Sequence, residues 1–213
     1  MVRAKLHADG FHTVKYVRLD VTDLTTIQAA KETIDLAEGK LDVLVNNAGR
    51  FFRLSIFFIV CRKLIWKPSA VGKLEENQRA TSVSLETIRD AMETNFFGLV
   101  QTTIAFLPLL RKSANAVILN VATTTNTIQA RPNAGFQVVA YNTSKAAVNS
   151  CTVALAQELR GEGIKVNAVA PGFTSTKLNN FSPGGRSPRA GAEVLLPWAL
   201  LEKDGPTCMF KIY

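Results

Sequence analysis

The sequence predicts an α/β fold in which a parallel sheet carries helices on both faces. Short apolar runs of strand length alternate along the chain with longer segments whose apolar residues recur at helical spacing. This alternation is typical of parallel sheets, because two parallel strands are usually joined by a helical crossover. The chain has 213 residues, enough for one domain with a substantial core, so we expect a single domain over residues 1–213.

Four runs rich in Val, Leu and Ile are the predicted strands of this sheet. They cover residues 16–21, 41–45, 116–121 and 165–170. Runs of this composition indicate strands that are buried in a parallel sheet. Pro171 and Gly172 directly follow the last run and stop it.

Three segments have the periodicity and the end signals of helices. They cover residues 24–37, 85–110 and 140–161. Thr22 or Asp23 can cap the first helix, and Gly39 ends it. Ser84 is the candidate N-cap of the second helix, and Glu86 places a negative charge in the first turn, where the helix dipole favours it.

Small and polar residues follow each predicted strand at the point where it ends. In doubly wound sheets, ligands bind at the carboxyl ends of the strands. Each segment by itself also has the composition of an ordinary turn, but the four together indicate a ligand crevice. The segments are residues 20–21, 46–49, 120–125 and 171–176.

Tyr141 and Lys145 are four residues apart within the third helical segment. Positions i and i+4 lie on one face of a helix, one turn apart. A free tyrosine has a pKa of about 10, and a neighbouring cation stabilises the phenolate, so we expect the lysine to lower that pKa towards the working range of an acid/base catalyst. The alternative is an exposed Tyr-Lys pair of a kind that arises by chance.

The composition sets limits on partners and compartment. The formal net charge is +8, but Lys and Arg are scattered, so we expect no nucleic-acid arm. The charge then reflects a generally basic soluble surface or a phosphate-bearing cofactor.

Three distant cysteines suggest neither a disulfide framework nor a metal cluster, and we therefore expect a reducing compartment, the cytoplasm. The N-terminus has no apolar segment of the secretory type.

One segment does not fit the α/β pattern. Residues 51–66 are rich in apolar and basic side chains, but the longest uncharged run, residues 54–61, is far shorter than the roughly 20 residues of a membrane helix. An amphipathic helix lying on a membrane is one interpretation. The apolar residues are not confined to one face, which argues against it. We favour an atypical insertion at about residues 50–74.

Several of these residues, in this order and spacing, resemble the motifs of the short-chain dehydrogenase/reductase family. The sequence around Tyr141 is most similar to carbonyl-reductase-type members. The resemblance implies a Rossmann-like doubly wound sheet and an NAD(P)-dependent oxidoreductase that interconverts a carbonyl and an alcohol. The matching motifs are Leu19-Asp20-Val21, Asn46-Asn47-Ala48-Gly49, Asn95 in Thr-Asn-Phe-Phe-Gly, Tyr141-x-x-x-Lys145, and Pro171-Gly172 with Thr176.

The resemblance implies four catalytic residues. Tyr141 is the acid/base that exchanges a proton with the substrate oxygen. Lys145 lowers the pKa of Tyr141 and binds the nicotinamide ribose. Asn95 kinks its helix and holds a water in a proton relay. The catalytic serine of the family falls at Thr123, with Thr124 and Thr125 as alternatives. A threonine hydroxyl is a weaker substitute because its methyl group crowds the substrate.

The resemblance also implies the cofactor-binding residues and a preference for NADP over NAD. Asp20 and Val21 contact the adenine, while Asn47, Ala48 and Gly49 line the ribose. The nicotinamide end is formed by Pro171, Gly172 and Thr176, with Tyr141 and Lys145.

The resemblance further implies a substrate and the remaining elements of the fold. A small carbonyl or alcohol is the implied substrate, and residues 177–191 form the substrate lid. The terminal elements are a helix at 193–202 and a strand at 208–213, and the helices at 85–110 and 140–161 form a homodimer or homotetramer face.

The chain departs from the family at its beginning. No glycine-rich phosphate loop occurs in the sequence, and residues 2–10 resemble the end of the family's second helix, so the first two strands are expected to be missing. The first predicted strand, residues 16–21, then either pairs with the next one or loses its partners. The alternative function is therefore a catalytically impaired fragment or pseudo-enzyme that acts only as a binding or interaction protein.

Overall fold

A computed structural model of the chain describes residues 15–50, 55–56, 78–123, 138–179 and 181–213. Within them, four parallel strands form one sheet in the order β1-β4-β5-β6, and two short strands form an antiparallel ribbon, β2-β3. The predicted α/β fold with a parallel sheet is confirmed. The strands are β1 Val43–Asn46, β2 Gly49–Arg50, β3 Ser55–Ile56, β4 Val117–Val121, β5 Lys165–Ala170 and β6 Phe210–Ile212.

The helices occur between the strands, as the sequence pattern predicts. They are α1 Leu24–Glu38, α2 Leu85–Met92, α3 Gly98–Leu110, α4 Val139–Glu158, α5 Pro188–Glu193 and α6 Leu196–Ala199. A π-helical turn, Glu93–Phe97, joins α2 to α3, and two 3₁₀ turns lie at Arg160–Glu162 and Lys177–Asn179. The long helix predicted at 85–110 is therefore real, but its hydrogen-bond pattern changes in the middle.

Local signals explain where the helices start and stop. The Asp23 carboxylate accepts a hydrogen bond from the amide of Thr25 at 2.9 Å and caps α1. Gly39 ends that helix with φ of 70°, a left-handed conformation that favours glycine. The Ser84 hydroxyl caps α2 by accepting from the Thr87 amide at 3.0 Å.

Alternate residues of the strands point to two separate hydrophobic clusters. Leu44, Ile118 and Val166 lie in the larger cluster, which also contains buried residues of α1, α3 and α4. On the other face, Leu119 and Val169 lie in a smaller cluster that includes residues of α6. A fully buried side chain of this kind contributes about 1.5–3 kcal/mol to folding, so the two clusters together fix the register of the central strands.

The carboxyl ends of the central strands lie side by side at one edge of the sheet. Asn46, the last residue of β1, is in register with Asn120, which in turn is in register with Ala168 of β5. The polar segments that follow these strands therefore emerge at the same edge, as the sequence predicts for a ligand crevice.

The predicted strand at 16–21 is wrong, because the structure gives these residues an irregular conformation. The side chains of Leu19 and Val21 are buried in the larger cluster. The main chain turns at Asp20, whose carbonyl accepts hydrogen bonds from the Asp23 amide and the Thr26 hydroxyl, each at 3.0 Å. In the described part of the chain, β1 pairs only with β4. Residues 16–21 therefore do not pair with β1, but their apolar side chains still pack in the core.

The helix predicted at 193–202 is also wrong. Two short helices, α5 and α6, occupy this part of the chain with a turn between them. Pro197 lies in the first turn of α6, where its missing N–H is tolerated, whereas it would break a continuous helix. The terminal strand predicted at 208–213 is present as β6. Three parts of the sequence predictions lie outside the described residues: residues 2–10, nearly all of the proposed insertion at 50–74, and the alternative donors Thr124 and Thr125.

Candidate active site

A buried polar network holds the ends of β1 and β4 against two helices. The Asn46 side-chain amide donates to the Asn120 carbonyl oxygen at 2.9 Å and to the Thr103 hydroxyl of α3 at 3.0 Å. Asn120 in turn donates to the Thr152 hydroxyl of α4 at 2.8 Å. All four side chains are buried, and buried polar groups that are satisfied in this way fix a unique arrangement. The network therefore sets the height of α3 and α4 above the strand ends.

Tyr141 and Lys145 lie on one face of α4, as their spacing predicts. The Lys145 Nζ atom is 6.0 Å from the centre of the Tyr141 ring. It donates a hydrogen bond of 2.6 Å to the main-chain oxygen of Val121, the last residue of β4. Two residues further along, the Thr123 side chain is hydrogen-bonded to Tyr141. The structure thus brings Tyr141, Lys145 and Thr123 together where β4 ends.

Burial dominates the proton affinity of both groups on α4. It raises the pKa of Tyr141 to about 12, and the hydrogen bond with Thr123 acts in the opposite direction without cancelling the effect. Burial also lowers the pKa of Lys145 to about 8. The expectation that Lys145 lowers the pKa of Tyr141 is therefore wrong for this state of the molecule, because the ammonium group is directed to the Val121 carbonyl and desolvation outweighs its influence.

Asn95 lies in the π-helical turn and reaches α4 through a serine. Its side chain is fully buried and donates to the Ser144 hydroxyl at 2.8 Å. Ser144 donates in turn to the main-chain oxygen of Tyr141 at 2.7 Å. This link holds the turn against the first turn of α4. Sequence reasoning did not single out Ser144, although its place inside the Tyr-x-x-x-Lys motif was a usable signal.

The segment that follows β1 lies next to the lysine. Gly49 is buried, and a Cβ atom at this position would lie 3.9 Å from Lys145 Nζ. The Asn47 amide donates to the Val45 carbonyl at 3.1 Å, which turns the chain at the strand end. Ala48 packs against the larger hydrophobic cluster. Gly49, one of the three predicted ribose-lining residues, therefore lies close to the Lys145 ammonium group.

Asp20 and Val21 lie beside the helix that carries Asn95. The Val21 side chain is 4% exposed and packs against Gly98, where a Cβ atom would lie 2.3 Å from Val21 Cγ2. The Gln101 side-chain amide donates to the Val21 carbonyl. The Asp20 carboxylate accepts hydrogen bonds from the amide and hydroxyl of Thr22 at 2.9 and 2.7 Å. Because the Val21 side chain is part of the core, any contact of this residue with an adenine would use its main chain.

The residues after β5 form a second group beside the first. Gly172 has φ of 75°, and Thr176 begins a turn in which its hydroxyl accepts from the Leu178 amide at 3.2 Å. Pro171 directly follows Ala170, which ends β5, the strand next to β4. The described hydrogen bonds connect Tyr141 to Thr123 and, through Ser144, to Asn95. Lys145 lies one turn along the same helix and donates to the Val121 main chain. Gly172 and Thr176 follow β5, the strand next to β4.

Comparison with known proteins identifies the class to which this fold and site belong. The family model of the short chain dehydrogenases matches residues 1–184. Salutaridine reductase of Papaver bracteatum is 26% identical, over 97% of this chain and 80% of that protein. A short-chain dehydrogenase/reductase of Aspergillus fumigatus is 30% identical, over 90% of this chain and 70% of that protein.

The same fold is found among solved structures. The NADPH-bound carbonyl reductase from chicken fatty liver superposes with a TM-score of 0.77 at 23% identity, covering 98% of this chain and 78% of that protein. The chain belongs to the short-chain dehydrogenase/reductase family of oxidoreductases, whose members use nicotinamide dinucleotides and act on small molecules. Among the residues that the structure describes, none of the helices has the length and apolarity needed to span a membrane.

Proposed function

We propose that this chain is an NAD(P)-dependent oxidoreductase that interconverts a carbonyl and an alcohol at Tyr141, Lys145, Asn95 and Thr123. The observation that carries the proposal is the hydrogen-bonded pair Thr123–Tyr141 at the end of β4, with Lys145 one turn away on the same helix. Two hydroxyl donors at one point, beside a cation, are the groups that polarise a carbonyl oxygen and protonate it.

The proton affinities favour the reductive direction. A phenol with a pKa of about 12 keeps its proton at neutral pH and can donate it to the oxygen of a carbonyl that is being reduced. Lys145, with a pKa of about 8, is mostly protonated at the same pH, so its positive charge favours the phenolate that remains. Thr123 donates to the same oxygen in place of a serine. Movement of the Lys145 ammonium from the Val121 carbonyl towards the phenol would lower the pKa of Tyr141.

The described residues fit the nicotinamide end of a dinucleotide better than its phosphates. Lys145 presents a hydrogen-bond donor beside the buried Gly49, and Asp20 offers a carboxylate that accepts from the Thr22 amide. When bound, the nicotinamide would supply the hydride. The sequence has no glycine-rich loop for the pyrophosphate. The basic net charge of +8 and the likeness to a fold solved with NADPH support NADP rather than NAD.

The second candidate is a catalytically impaired fragment or pseudo-enzyme of the same family that acts only as a binding or interaction protein. The missing glycine-rich loop and the threonine at position 123 favour it. A phenol held at a pKa of about 12 favours it as well, since such a group is a poor base for alcohol oxidation. The two candidates predict different behaviour towards the cofactor.

Titration with NADPH, followed by turnover of a panel of aldehydes and ketones, separates the candidates. We expect binding below millimolar concentration and measurable NADPH oxidation, both in the unmodified chain and in Tyr16→Phe, which alters an exposed tyrosine. Tyr141→Phe should bind NADPH but lose about 10²–10⁴-fold in rate. Thr123→Ser should raise the rate, because it restores the smaller donor. Failure to bind millimolar NADPH would remove the enzyme proposal for this chain and leave the second candidate.

We also propose that the protein is a homodimer or homotetramer in the cytoplasm. The outer sides of the helices carry exposed apolar residues, Phe97 at 48%, Ile104 at 63% and Val153 at 45% exposure. A second copy packed on these helices would bury them. The three scattered cysteines favour a reducing compartment.

A further inference from the structure

One arginine lies directly on the glycine that follows β5. A Cβ atom at Gly172 would lie 3.2 Å from Nη2 and 3.4 Å from Cζ of Arg186, so the guanidinium group rests against the glycine main chain. The main chain of Arg186 is fixed as well: its amide donates to the Phe173 carbonyl and its carbonyl accepts from the Ser175 amide, both at 3.0 Å. The group is therefore held at the end of β5 by a short bridge rather than by a free loop.

Arg186 differs in burial from the other arginines whose side chains the structure describes. Its side chain is partly buried, and within the described residues it makes no hydrogen bond or ion pair. On the same segment, Arg189 is 90% exposed and is paired with Glu193 at 2.9 Å. The other arginines whose side chains the structure describes are exposed; they are Arg18, Arg79, Arg89, Arg111, Arg160 and Arg189.

A partly buried guanidinium that makes no ion pair within the described residues has donors to offer to a ligand. The planar group presents up to five N–H donors in a fork that matches carboxylate and phosphate oxygens. Partial burial strengthens such a bond because less water competes for the donors. The chain has 25 basic and 17 acidic residues, so acidic side chains are too few to pair with every cation. The main-chain oxygen of Tyr213 lies 2.7 Å from the same Cβ position, but the described residues show no hydrogen bond between it and the guanidinium, so the donors of Arg186 remain available to an anion beside the strand ends.

We propose that Arg186 binds an anionic oxygen of the ligand, a carboxylate or a phosphate, beside Gly172. This inference rests on the proposed function, because it assumes that Gly172 faces the nicotinamide end of the cofactor. Two parts of a bound ligand could present the anion there: a carboxylate next to the substrate carbonyl, or the phosphate next to the nicotinamide ribose. Arg186 would thus make the site prefer acidic carbonyl substrates, or hold the cofactor near its reactive end.

Binding measurements with matched ligand pairs test this inference without requiring turnover. The carboxylate pair is benzoylformate and its methyl ester, and the phosphate pair is reduced nicotinamide mononucleotide and reduced nicotinamide riboside. Calorimetry is performed on the full chain, Arg186→Gln and Arg111→Gln, with circular dichroism to establish folding; Arg111 is exposed and paired with Glu162 at 2.6 Å. Arg186→Met, which keeps the aliphatic packing on Gly172, is the second neutral variant in case the glutamine variant does not fold.

We expect the unmodified chain and Arg111→Gln to bind the charged member of one pair at least tenfold more tightly than the neutral member. The neutral variants of Arg186 should lose this preference, by roughly tenfold to a hundredfold in Kd, as befits a charge-assisted hydrogen bond. The pair that shows the effect identifies the source of the anion.

The inference and the proposed function can fail separately. An anion preference that depends on Arg186 in a chain without NADPH-dependent turnover supports the inference and removes the function. Turnover that depends on Tyr141, without any anion preference or with a preference unchanged in the Arg186 variants, supports the function and overturns the inference. Absence of binding for both pairs overturns it too.

Discussion

At the scale of single residues, burial sets the protonation of the candidate catalytic pair. Sequence spacing correctly places Tyr141 and Lys145 on one face, but it does not reveal that the ammonium group is directed to the Val121 carbonyl at 2.6 Å. The direction of the Tyr141 pKa could not be predicted, because desolvation depends on the tertiary structure around a residue rather than on its sequence neighbours.

The lowered pKa of Lys145 predicts a specific dependence of stability on pH. Burial shifts this pKa from 10.5 to about 8 in the folded protein. Between those values the unfolded chain binds more protons, so the free energy of unfolding rises with pH over the window of about 8 to 10.5. The full effect is about 3 kcal/mol. Urea unfolding at pH 7.5 and pH 10 should show this rise in the unmodified chain but not in Lys145→Met.

Lys112→Met is the matched control for this experiment. Lys112 is exposed and paired with Asp35 at 2.8 Å, and its removal should leave the rise between pH 7.5 and pH 10 unchanged. An equal rise in Lys145→Met would mean that another group, such as the partly buried Lys165, is responsible.

At the scale of elements, a close approach between the Val21 segment and α3 organises one side of the site. A Cβ atom at Gly98 would lie 2.3 Å from Val21 Cγ2 and 3.1 Å from the Val21 main-chain oxygen. The glycine is thus required by packing, since its helical dihedral angles suit any residue. We predict that Gly98→Ala destabilises the fold by about 1–3 kcal/mol through overpacking, measured by chemical denaturation.

Gly161→Ala provides the comparison for Gly98→Ala. Gly161 lies in the 3₁₀ turn after α4, and a Cβ atom there meets nothing within 4 Å. We expect Gly161→Ala to change the free energy of unfolding by less than about 0.5 kcal/mol. Similar effects for the two substitutions would contradict the packing argument, because they would then reflect helix propensity alone.

The elements themselves show what sequence reasoning captures. End signals at Asp23, Gly39 and Ser84 act locally, and the structure confirms all three. The run at 16–21 has the composition of a strand, but a strand also needs a neighbour for its hydrogen bonds, and sequence composition does not supply one. The π-helical turn at Glu93–Phe97 could not be predicted from the sequence either, because the hydrophobic pattern of the helix continues through it.

At the scale of the whole molecule, the parallel sheet and the family could be predicted because several motifs occur in one order along the chain. The parallel sheet and the family membership are both confirmed. The anion-binding geometry at Arg186 could not be predicted, because it depends on a main-chain bridge between Thr174 and Arg186. Contacts between residues far apart in a loop carry no periodic signal in the sequence.

The exposed apolar residues on the long helices lead to a prediction about assembly. Ile104 of α3 is 63% exposed, and a second copy packed on this side would bury it. Ile104→Asp should therefore convert an assembly of two or more chains into a monomer, as measured by light scattering coupled to gel filtration. Leu36→Asp, on α1 and 91% exposed, introduces the same charge on another helix and should leave the assembly intact. A monomeric unmodified chain, or equal behaviour of the two variants, would contradict an interface on this side of the molecule.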